Sequence, residues 1–448
     1  MTTSPFDPAV QPSLAFVRAL VKASYEEDPE AGDEVEVESG AGYEEATVLA
    51  IDAGGTRVRY ADGREEVLDE DTWAYVRDRP RLRALWESHL KEQVPDGVAA
   101  RDGLDAALKT RLHAGFDVLM AGAEDFHPGS GTMVRDLVHP SLYPLVREEA
   151  PEPPEAMGDA VDLWGRPYES SRYQWLPSTF AVDEAGGVTI PGPINNLDRS
   201  ANAALYRALA ELFGSMLPLF ESVAGYADAL ALYDESLEGE HELPEPSMKA
   251  ADPVVATPRS LRGRELQVIT KIIEYRLEDE ESFEGVWHVE GMSHERILAT
   301  GVCTLARDSN LVGGDLRFKR GYTQDEAGLL FWNVNQCRPK SIEDLVDEAH
   351  IPLGSIETRE DRLFVFPNCH VHKLSAMSVA GGAGTATRRV IVFWLVHPDH
   401  RITGLEDVPP PQDAMSHEEA LATRLALMEE RRVHKQSMNV RAVSLCEH

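Results

Sequence analysis

The chain has 448 residues, of which 43% are apolar and 27% are charged, which is enough for two or three domains with buried cores. Acidic residues outnumber basic ones by 77 to 43 and give a net charge of −34. Such a charge repels phosphates over most of the surface, so it argues against nucleic acid or an anionic membrane as the partner. A cationic substrate is compatible with it, although acidity often serves solubility alone.

Targeting signals and cysteine pairs are not evident. The longest clean apolar run covers only residues 390–396, whereas a membrane span needs about 20 residues. The N-terminal residues lack the cationic start and apolar stretch of a secretory signal. Because Cys303, Cys337, Cys369 and Cys446 form no C-x-x-C pair, we expect four free thiols and a reducing, cytoplasmic location.

The first elements in chain order are a short helix and a strand-rich segment. Helical spacing of apolar residues predicts a helix at 14–24, within an N-terminal segment 1–32. Residues 33–75 alternate between apolar and polar and contain the hairpin signal Asp62-Gly63. This pattern predicts a small SH3-like or Tudor-like β-barrel, with a packing β-meander as the alternative.

Residues 80–260 are predicted to be mainly helical. Leu108, Leu112 and Phe116 are near helical spacing, and a longer helix is expected after Asn196. Pro218 should kink or end that second helix. Its apolar stripe, which we assign to the core, contains Leu205, Leu209, Leu212, Phe213 and Met216.

Residues 261–412 change to short strands separated by turns, which is typical of an antiparallel sandwich or jelly roll. A last helix within 413–448 starts at Ser416, where Glu419 completes a capping box. The predicted class is therefore α+β: a C-terminal double-stranded β-helix (jelly roll or cupin-like), a largely helical N-terminal half and a small N-terminal β-barrel. The predicted strands are 286–290, 297–305, 316–319, 329–333, 363–366, 370–374 and 390–396.

His288 and Glu290 are the sharpest local signal for chemistry. Residues two apart in a strand point to the same side, so an imidazole and a carboxylate would face one spot. They would supply two-thirds of a 2-His-1-carboxylate triad for ferrous iron. The strand at 370–374 offers either His370 or His372 as the third ligand.

Arg388 and Arg389 stand at the mouth of the apolar strand 390–396. A guanidinium there is costly to bury without an anion, and it makes a good bidentate clamp for a carboxylate. In a jelly-roll oxygenase, that anion would be the distal carboxylate of 2-oxoglutarate.

Several long motifs resemble the family catalogued as domain of unknown function 4246, over roughly residues 85 to 412. They occur in order at residues 127–130, 136–146, 173–178, 194–197, 287–292, 353–359 and 366–368, with His372 following.

The family is similar in its C-terminal half to Fe(II)/2-oxoglutarate oxygenases. The resemblance implies iron ligation by His288, Glu290 and His372, with His372 preferred to His370. It also implies 2-oxoglutarate bound at Arg388, preferred to Arg389. Cys369-His370 and a Gly-rich insert before Arg388 depart from the family's pattern.

The leading hypothesis is thus an Fe(II)/2-oxoglutarate-dependent oxygenase that hydroxylates a C–H bond of a small molecule or peptide, with a cationic substrate as one option. A second hypothesis is a binding or scaffold protein with a Tudor-like module and a silent jelly roll. A third is a cupin-like metalloenzyme that uses no 2-oxoglutarate. His127 and His139 are interpreted as hydrogen-bonded structural residues, and the oligomeric state is left open.

Overall fold

The computed structural model describes residues 29–39, 42–68, 74–78, 95–152, 168–230, 232, 256–321, 323, 350–381 and 384–440. The helix expected at 14–24 and the strand expected at 329–333 lie outside these ranges. The described chain is mixed α+β and consists mostly of sheets with few helices.

The N-terminal strands form a sheet of their own, in the order β4-β3-β2-β1-β5. Alternating residues such as Val35, Val37, Val48 and Val58 form a small separate core. In the described pairing β4 and β5 are the two edges, so closure into a barrel stays a prediction. The strands are β1 (Glu34–Ser39), β2 (Gly42–Asp52), β3 (Gly55–Tyr60), β4 (Glu65–Leu68) and β5 (Ala74–Asp78).

An eight-stranded main sheet organises the rest, in the order β11-β10-β12-β21-β14-β18-β6, with β7 also paired to β12. All its pairings are antiparallel. Its strands are β6 (Ala99–Asp102), β7 (Val134–Val138), β10 (Ser178–Val182), β11 (Val188–Thr189), β12 (Arg264–Leu277), β14 (Ile297–Arg307), β18 (Arg362–Pro367) and β21 (Ala386–Val396).

Three smaller sheets, β17-β16-β19, β13-β20-β15 and β8-β9, complete the fold. Their strands are β8 (Leu145–Val146), β9 (Tyr173–Gln174), β13 (Ser282–Phe283), β15 (Leu311–Gly313), β16 (Leu316–Arg320), β17 (Ile351–Ile356), β19 (Val371–Leu374) and β20 (Met377–Val379). The helices are α1 (Ala106–Met120), α2 (Ala203–Ala229), α3 (Pro411–Ala414) and α4 (His417–Val440).

The two faces of the main sheet bury different cores. On β21, Phe393 and Leu395 join a core shared with α1 and α2, which we call the outer face. Val392 and Trp394 join a second core, shared with the smaller sheets through residues such as Phe318, which we call the inner face. Because side chains alternate along a strand, neighbouring residues of β21 serve different cores.

Helix α2 carries the predicted apolar stripe, and all five residues of that stripe are buried. By length and composition it could cross a membrane, but its apolar face packs into the outer core. Pro218 was expected to kink or end the helix; it does not end it, because the helix continues to Ala229, and a kink stays the prediction. Burial of residues beyond the proline, such as Phe220 and Val223, offsets the loss of roughly 3 kcal/mol that an internal proline causes.

Within the described parts of the region 80–260, six strands accompany α1 and α2, and four of them, β6, β7, β10 and β11, extend the main sheet. Because residues 80–94, 153–167 and 233–255 lie outside the described ranges, a mainly helical region stays a prediction. β7 and β10 are short and mostly buried on both faces, so they lack the polar alternation that marks a half-exposed strand. For the same reason the sequence did not reveal β12, the longest of the described strands.

Two other expectations can be compared with the structure. Ser416 and Glu419 form the predicted capping box, in which the backbone N–H of each residue donates to the side chain of the other. Cys303 is a free, buried thiol and Cys369 is buried as well; Cys337 and Cys446 lie outside the described residues.

Gly301 of β14 lies at a close approach of α2 to the main sheet. A Cβ at this position would lie 2.5 Å from the Phe220 ring and 2.9 Å from Met216 Cε. Gly301→Ala should therefore lower the free energy of unfolding by about 1–3 kcal/mol through overpacking, measured by urea denaturation. Gly192→Ala is the matched control, because its Cβ would meet nothing within 4 Å. Equal stability of the two variants would contradict the close packing.

Candidate metal centre

His288 and His372 are joined through their backbones. His288 N–H donates to the His372 carbonyl at 3.0 Å, and His372 N–H donates to the His288 carbonyl at 2.9 Å. The expected strand 286–290 is reduced to this single bridge. The pair brings the two imidazole rings to a centroid distance of 4.4 Å, so residues 84 positions apart in the sequence share one site.

Both rings are held in the same tautomer. Nδ1 of His288 lies 2.7 Å from the Val286 carbonyl oxygen, and Nδ1 of His372 lies 3.1 Å from the His370 carbonyl oxygen. A carbonyl only accepts, so each Nδ1 carries the hydrogen and each neutral ring keeps its lone pair on Nε2. Metal-ligating histidines use this arrangement, in which the second nitrogen fixes the ring by donating to a carbonyl.

Glu290 supplies the carboxylate between the two rings. Its Oε1 lies 3.3 Å from His372 Nε2 and 3.8 Å from His288 Nε2. Asn368 fixes the Glu290 backbone from both sides: its Oδ1 accepts from the Glu290 N–H and its Nδ2 donates to the Glu290 carbonyl, each at 2.9 Å. Asn368 is a residue for which the sequence alone suggested no role; its place in the motif 366–368 is the one signal that points to it.

The donor set fits ferrous iron. One ligand atom from each of His288, Glu290 and His372 lies within 4.8 Å of the other two. Two neutral imidazoles and one carboxylate form the facial triad of non-haem iron sites, which leaves coordination positions open. His372 is 4% exposed at its side chain and His288 is 23% exposed, so the site is buried at one side and open at the other.

His370, the alternative ligand, does not belong to this group. Its backbone N–H donates to the Pro367 carbonyl in the turn before β19, so the strand alternation begins only after it. The ring is fully buried between Tyr226 and Phe318. Burial and the Arg320 guanidinium hold the pKa of His370 well below its usual value, so the ring is neutral.

Arg388 lies on the inner face of the main sheet, between Tyr275 on β12 and Arg307 on β14. Its side chain is buried, and its Nε and Nη1 have no hydrogen-bond partner within the described chain. The guanidinium lies over the Tyr275 ring, 5.6 Å from its centroid. Burial lowers the pKa of Arg388 to about 10, which still leaves it charged at neutral pH.

Arg389 points the opposite way and is already paired. Its Nε donates to Glu274 at 2.8 Å, and its Nη1 donates to Asp117 of α1 at 3.1 Å. Of the two adjacent arginines between which the sequence pattern left the choice open, Arg388 shares a face with the inner core and Arg389 does not.

A second group of possible metal ligands consists of His127, Asp136 and His139. Here the tautomer is unfavourable, because His139 Nδ1 accepts a hydrogen bond from the Ser141 N–H at 3.2 Å. Burial holds the pKa of His139 well below its usual value, so the neutral ring must carry its hydrogen on Nε2. Neither nitrogen then offers a lone pair to a metal.

The carboxylate of this second group is matched by protein groups. His127 Nδ1 lies 3.0 Å from Asp136, and Arg424 of α4 lies 3.6 Å from it while binding Asp125 with two hydrogen bonds. The group therefore acts as a polar anchor for α4, in agreement with the structural interpretation of the two histidines.

Asn368 should control metal affinity without touching the metal. Asn368→Leu removes both hydrogen bonds to the Glu290 backbone, so we expect Fe(II) or Mn(II) affinity to fall about 10–100-fold, measured by calorimetry. Asn310→Ala is the control, because Asn310 also donates to a backbone carbonyl but in a distant turn. Unchanged affinity in Asn368→Leu would show that the Glu290 position does not depend on it.

Solved structures similar to this chain include oxygenases, at low identity. A 2OG-Fe(II) oxygenase family oxidoreductase from Burkholderia pseudomallei is 11% identical, with a TM-score of 0.29; the match covers 70% of this chain and 91% of the other. A prolyl hydroxylase from Trichoplax adhaerens, solved with a hypoxia inducible factor peptide, is also 11% identical, with a TM-score of 0.28 and coverages of 67% and 83%. The protein IDO from Bacillus thuringiensis is 10% identical, with a TM-score of 0.19, and the match covers 30% of this chain and 47% of that protein.

No curated protein sequence matches the chain. A family model does: the family described as a protein of unknown function (DUF4246) matches residues 93–254 and 231–419. The match spans well over half of the sequence and agrees with the motifs quoted above, so the chain belongs to this family.

Proposed function

We propose that the protein is an Fe(II)/2-oxoglutarate-dependent oxygenase that hydroxylates a C–H bond, built on a jelly-roll core. The observation that carries the proposal is the combination of two imidazoles with Nε2 lone pairs around Glu290 and a buried Arg388 that faces the same inner core and has no ion pair among the described residues. A metal site alone would not require a buried arginine such as Arg388 on the same inner face.

His288, Glu290 and His372 would hold the iron, and the carbonyls of Val286 and His370 orient the two imidazole rings. With one carboxylate and two neutral ligands, the site keeps one net positive charge, which favours an anionic oxoacid. Iron, 2-oxoglutarate and dioxygen together supply the oxidising chemistry when bound.

The apolar side chains of the inner core would exclude water from the site. The Phe366 ring lies 4.7 Å from the His372 ring, and Phe318 packs against Phe366 at 5.0 Å. Apolar walls exclude water and strengthen electrostatic contacts with a bound anion.

Arg388 would bind the distal carboxylate of 2-oxoglutarate. Burying a guanidinium whose Nε and Nη1 have no hydrogen-bond partner among the described residues costs free energy unless an anion accepts from them. A carboxylate matches the forked geometry of these donors. The substrate is proposed to be a small molecule or a peptide, in a cytoplasmic setting; the acidic surface is compatible with a cationic one.

Each iron ligand should be required. His288→Ala, Glu290→Ala and His372→Ala should each abolish the metal-to-ligand charge-transfer band that forms when 2-oxoglutarate chelates Fe(II) under anaerobic conditions. The loss follows because three protein ligands define the site. His370→Ala is the matched control: it removes a neighbouring buried histidine that lies outside the triad, and it should keep the band. A wild-type protein without any band, and without succinate formation under oxygen, would favour the scaffold hypothesis.

Arg388 and Arg389 provide an adjacent test pair. Arg388→Ala should weaken 2-oxoglutarate binding about 10–100-fold with little change in Fe(II) affinity, because a charged hydrogen-bond pair is lost. Arg389→Ala should lower stability through its lost ion pairs and leave 2-oxoglutarate affinity nearly unchanged. If Arg388→Ala has no effect while the iron ligands remain essential, the cupin-like alternative takes the place of this proposal.

A further inference from the structure

A β-bulge in β14 changes which residues face the inner core near Arg388. Thr304 lies opposite Val390, Ala306 lies opposite Arg389 and Arg307 lies opposite Arg388. One extra residue is therefore accommodated between Thr304 and Ala306. Regular alternation would put Arg307 on the outer face with Leu305; the bulge instead puts it in register with Arg388 on the inner face.

The Arg307 guanidinium is held by two hydrogen bonds, and one of its nitrogen atoms has no hydrogen-bond partner among the described residues. Its Nη2 donates to the Leu311 and Gly313 carbonyls, at 3.1 and 2.6 Å, in the turn that leads from β14 into β15. Its Nη1 is buried and has no hydrogen-bond partner within the described chain. Because two carbonyls fix the guanidinium, the remaining nitrogen has a defined position.

Thr304 adds a third unused polar group to the same face. Its side chain is fully buried, and its hydroxyl has no hydrogen-bond partner among the described residues. It stands opposite Val390, two positions from Arg388 along β21. Residues two apart share a face, so the hydroxyl belongs to the same inner row as the two guanidinium groups.

Two cations in cross-strand register repel each other, and no ion pair within the described ranges includes either of them. Asp315 and Glu357 are the acids whose charges reach Arg307, but neither pairs with it directly. Such an arrangement is stable chiefly when an anion neutralises it. A terminal carboxylate has two oxygens and can accept from both guanidinium groups and a hydroxyl at once.

We propose that Arg307 is a second anchor for the distal carboxylate of 2-oxoglutarate, placed on the inner face by the β14 bulge and assisted by the Thr304 hydroxyl. The inference rests on the proposed function, since it assigns a specificity role within that co-substrate site. Arg307 would raise selectivity for oxoacids with a distal carboxylate over 2-oxo monoacids, which share only the chelating group.

The test compares two oxoacids on the Fe(II)-loaded protein under anaerobic conditions. 2-Oxoglutarate and 2-oxobutanoate share the chelating group, but only the first has a distal carboxylate. Arg307→Met should raise the dissociation constant for 2-oxoglutarate about tenfold and leave that for 2-oxobutanoate within about twofold, read from the charge-transfer band. Thr304→Val, which keeps the side-chain shape, should raise only the 2-oxoglutarate constant, by about 2–10-fold.

Arg276→Met is the matched control, because this exposed arginine lies on β12 beside Tyr275 and, among the described residues, forms its ion pair with Glu278 at the surface. It should change neither constant. If Arg307→Met weakens both oxoacids equally, or neither, Arg307 only supports the β14–β15 turn and the inference fails. If Arg307→Met does not fold, Thr304→Val decides alone, and an unchanged 2-oxoglutarate constant there overturns the inference. A wild type that shows no band with either oxoacid overturns the proposed function itself, which is a separate outcome.

Discussion

The reciprocal backbone hydrogen bonds between His288 and His372 are the constraint on which the candidate site depends. They attach residues 286–290, which form no regular strand, to β19, which is itself paired to β16. One bridge thus sets the separation of the two imidazole rings. The Asn368 side chain then fixes the Glu290 backbone, so the backbones of all three ligand residues are held by hydrogen bonds. Supporting contacts of this kind fix the positions from which the side chains reach the site.

The main sheet separates charge by face. Outer-face charges near the end of β21 are neutralised within the protein, as Arg389 is by Glu274 and Asp117. The inner-face charges at the same level are the buried Arg388 and the half-buried Arg307, and neither forms an ion pair among the described residues. Since burying an unmatched charge is expensive, the contrast between two neighbouring rows of one sheet is best explained by an anion that the inner face receives.

Features with a local sequence period could be predicted from the sequence. Strands buried on both faces, and features set by pairing between distant strands, could not. The stripe of α2, the capping box at Ser416 and the pair His288 and Glu290 were predictable, because spacing alone puts those residues on one face or at one terminus. The preference for His372 over His370 came from the family resemblance and not from spacing. Strands β7, β10 and β12 were not predictable, because burial on both faces removes the alternation that identifies a strand. The pair His370 and His372 was assigned to one face by period two, yet His370 lies in a turn, where that period does not apply. The β14 bulge has no signal in a single sequence, since it is defined only by the register with β21.

The two histidine–carboxylate groups of this protein show why residue type and proximity do not by themselves define a metal centre. Both groups contain two histidines and one acid within 4.8 Å. In the group of His288 and His372, each Nδ1–H donates a hydrogen bond to a backbone carbonyl, so Nε2 is left as the ligand atom. At His139 a backbone N–H occupies Nδ1 instead, which forces the hydrogen onto Nε2, and Arg424 supplies the positive charge near Asp136. In the first group Nδ1 donates to a backbone carbonyl, and in the second the Nδ1 of His139 accepts from a backbone N–H. This difference in one hydrogen bond separates a group suited to iron from one that anchors a helix.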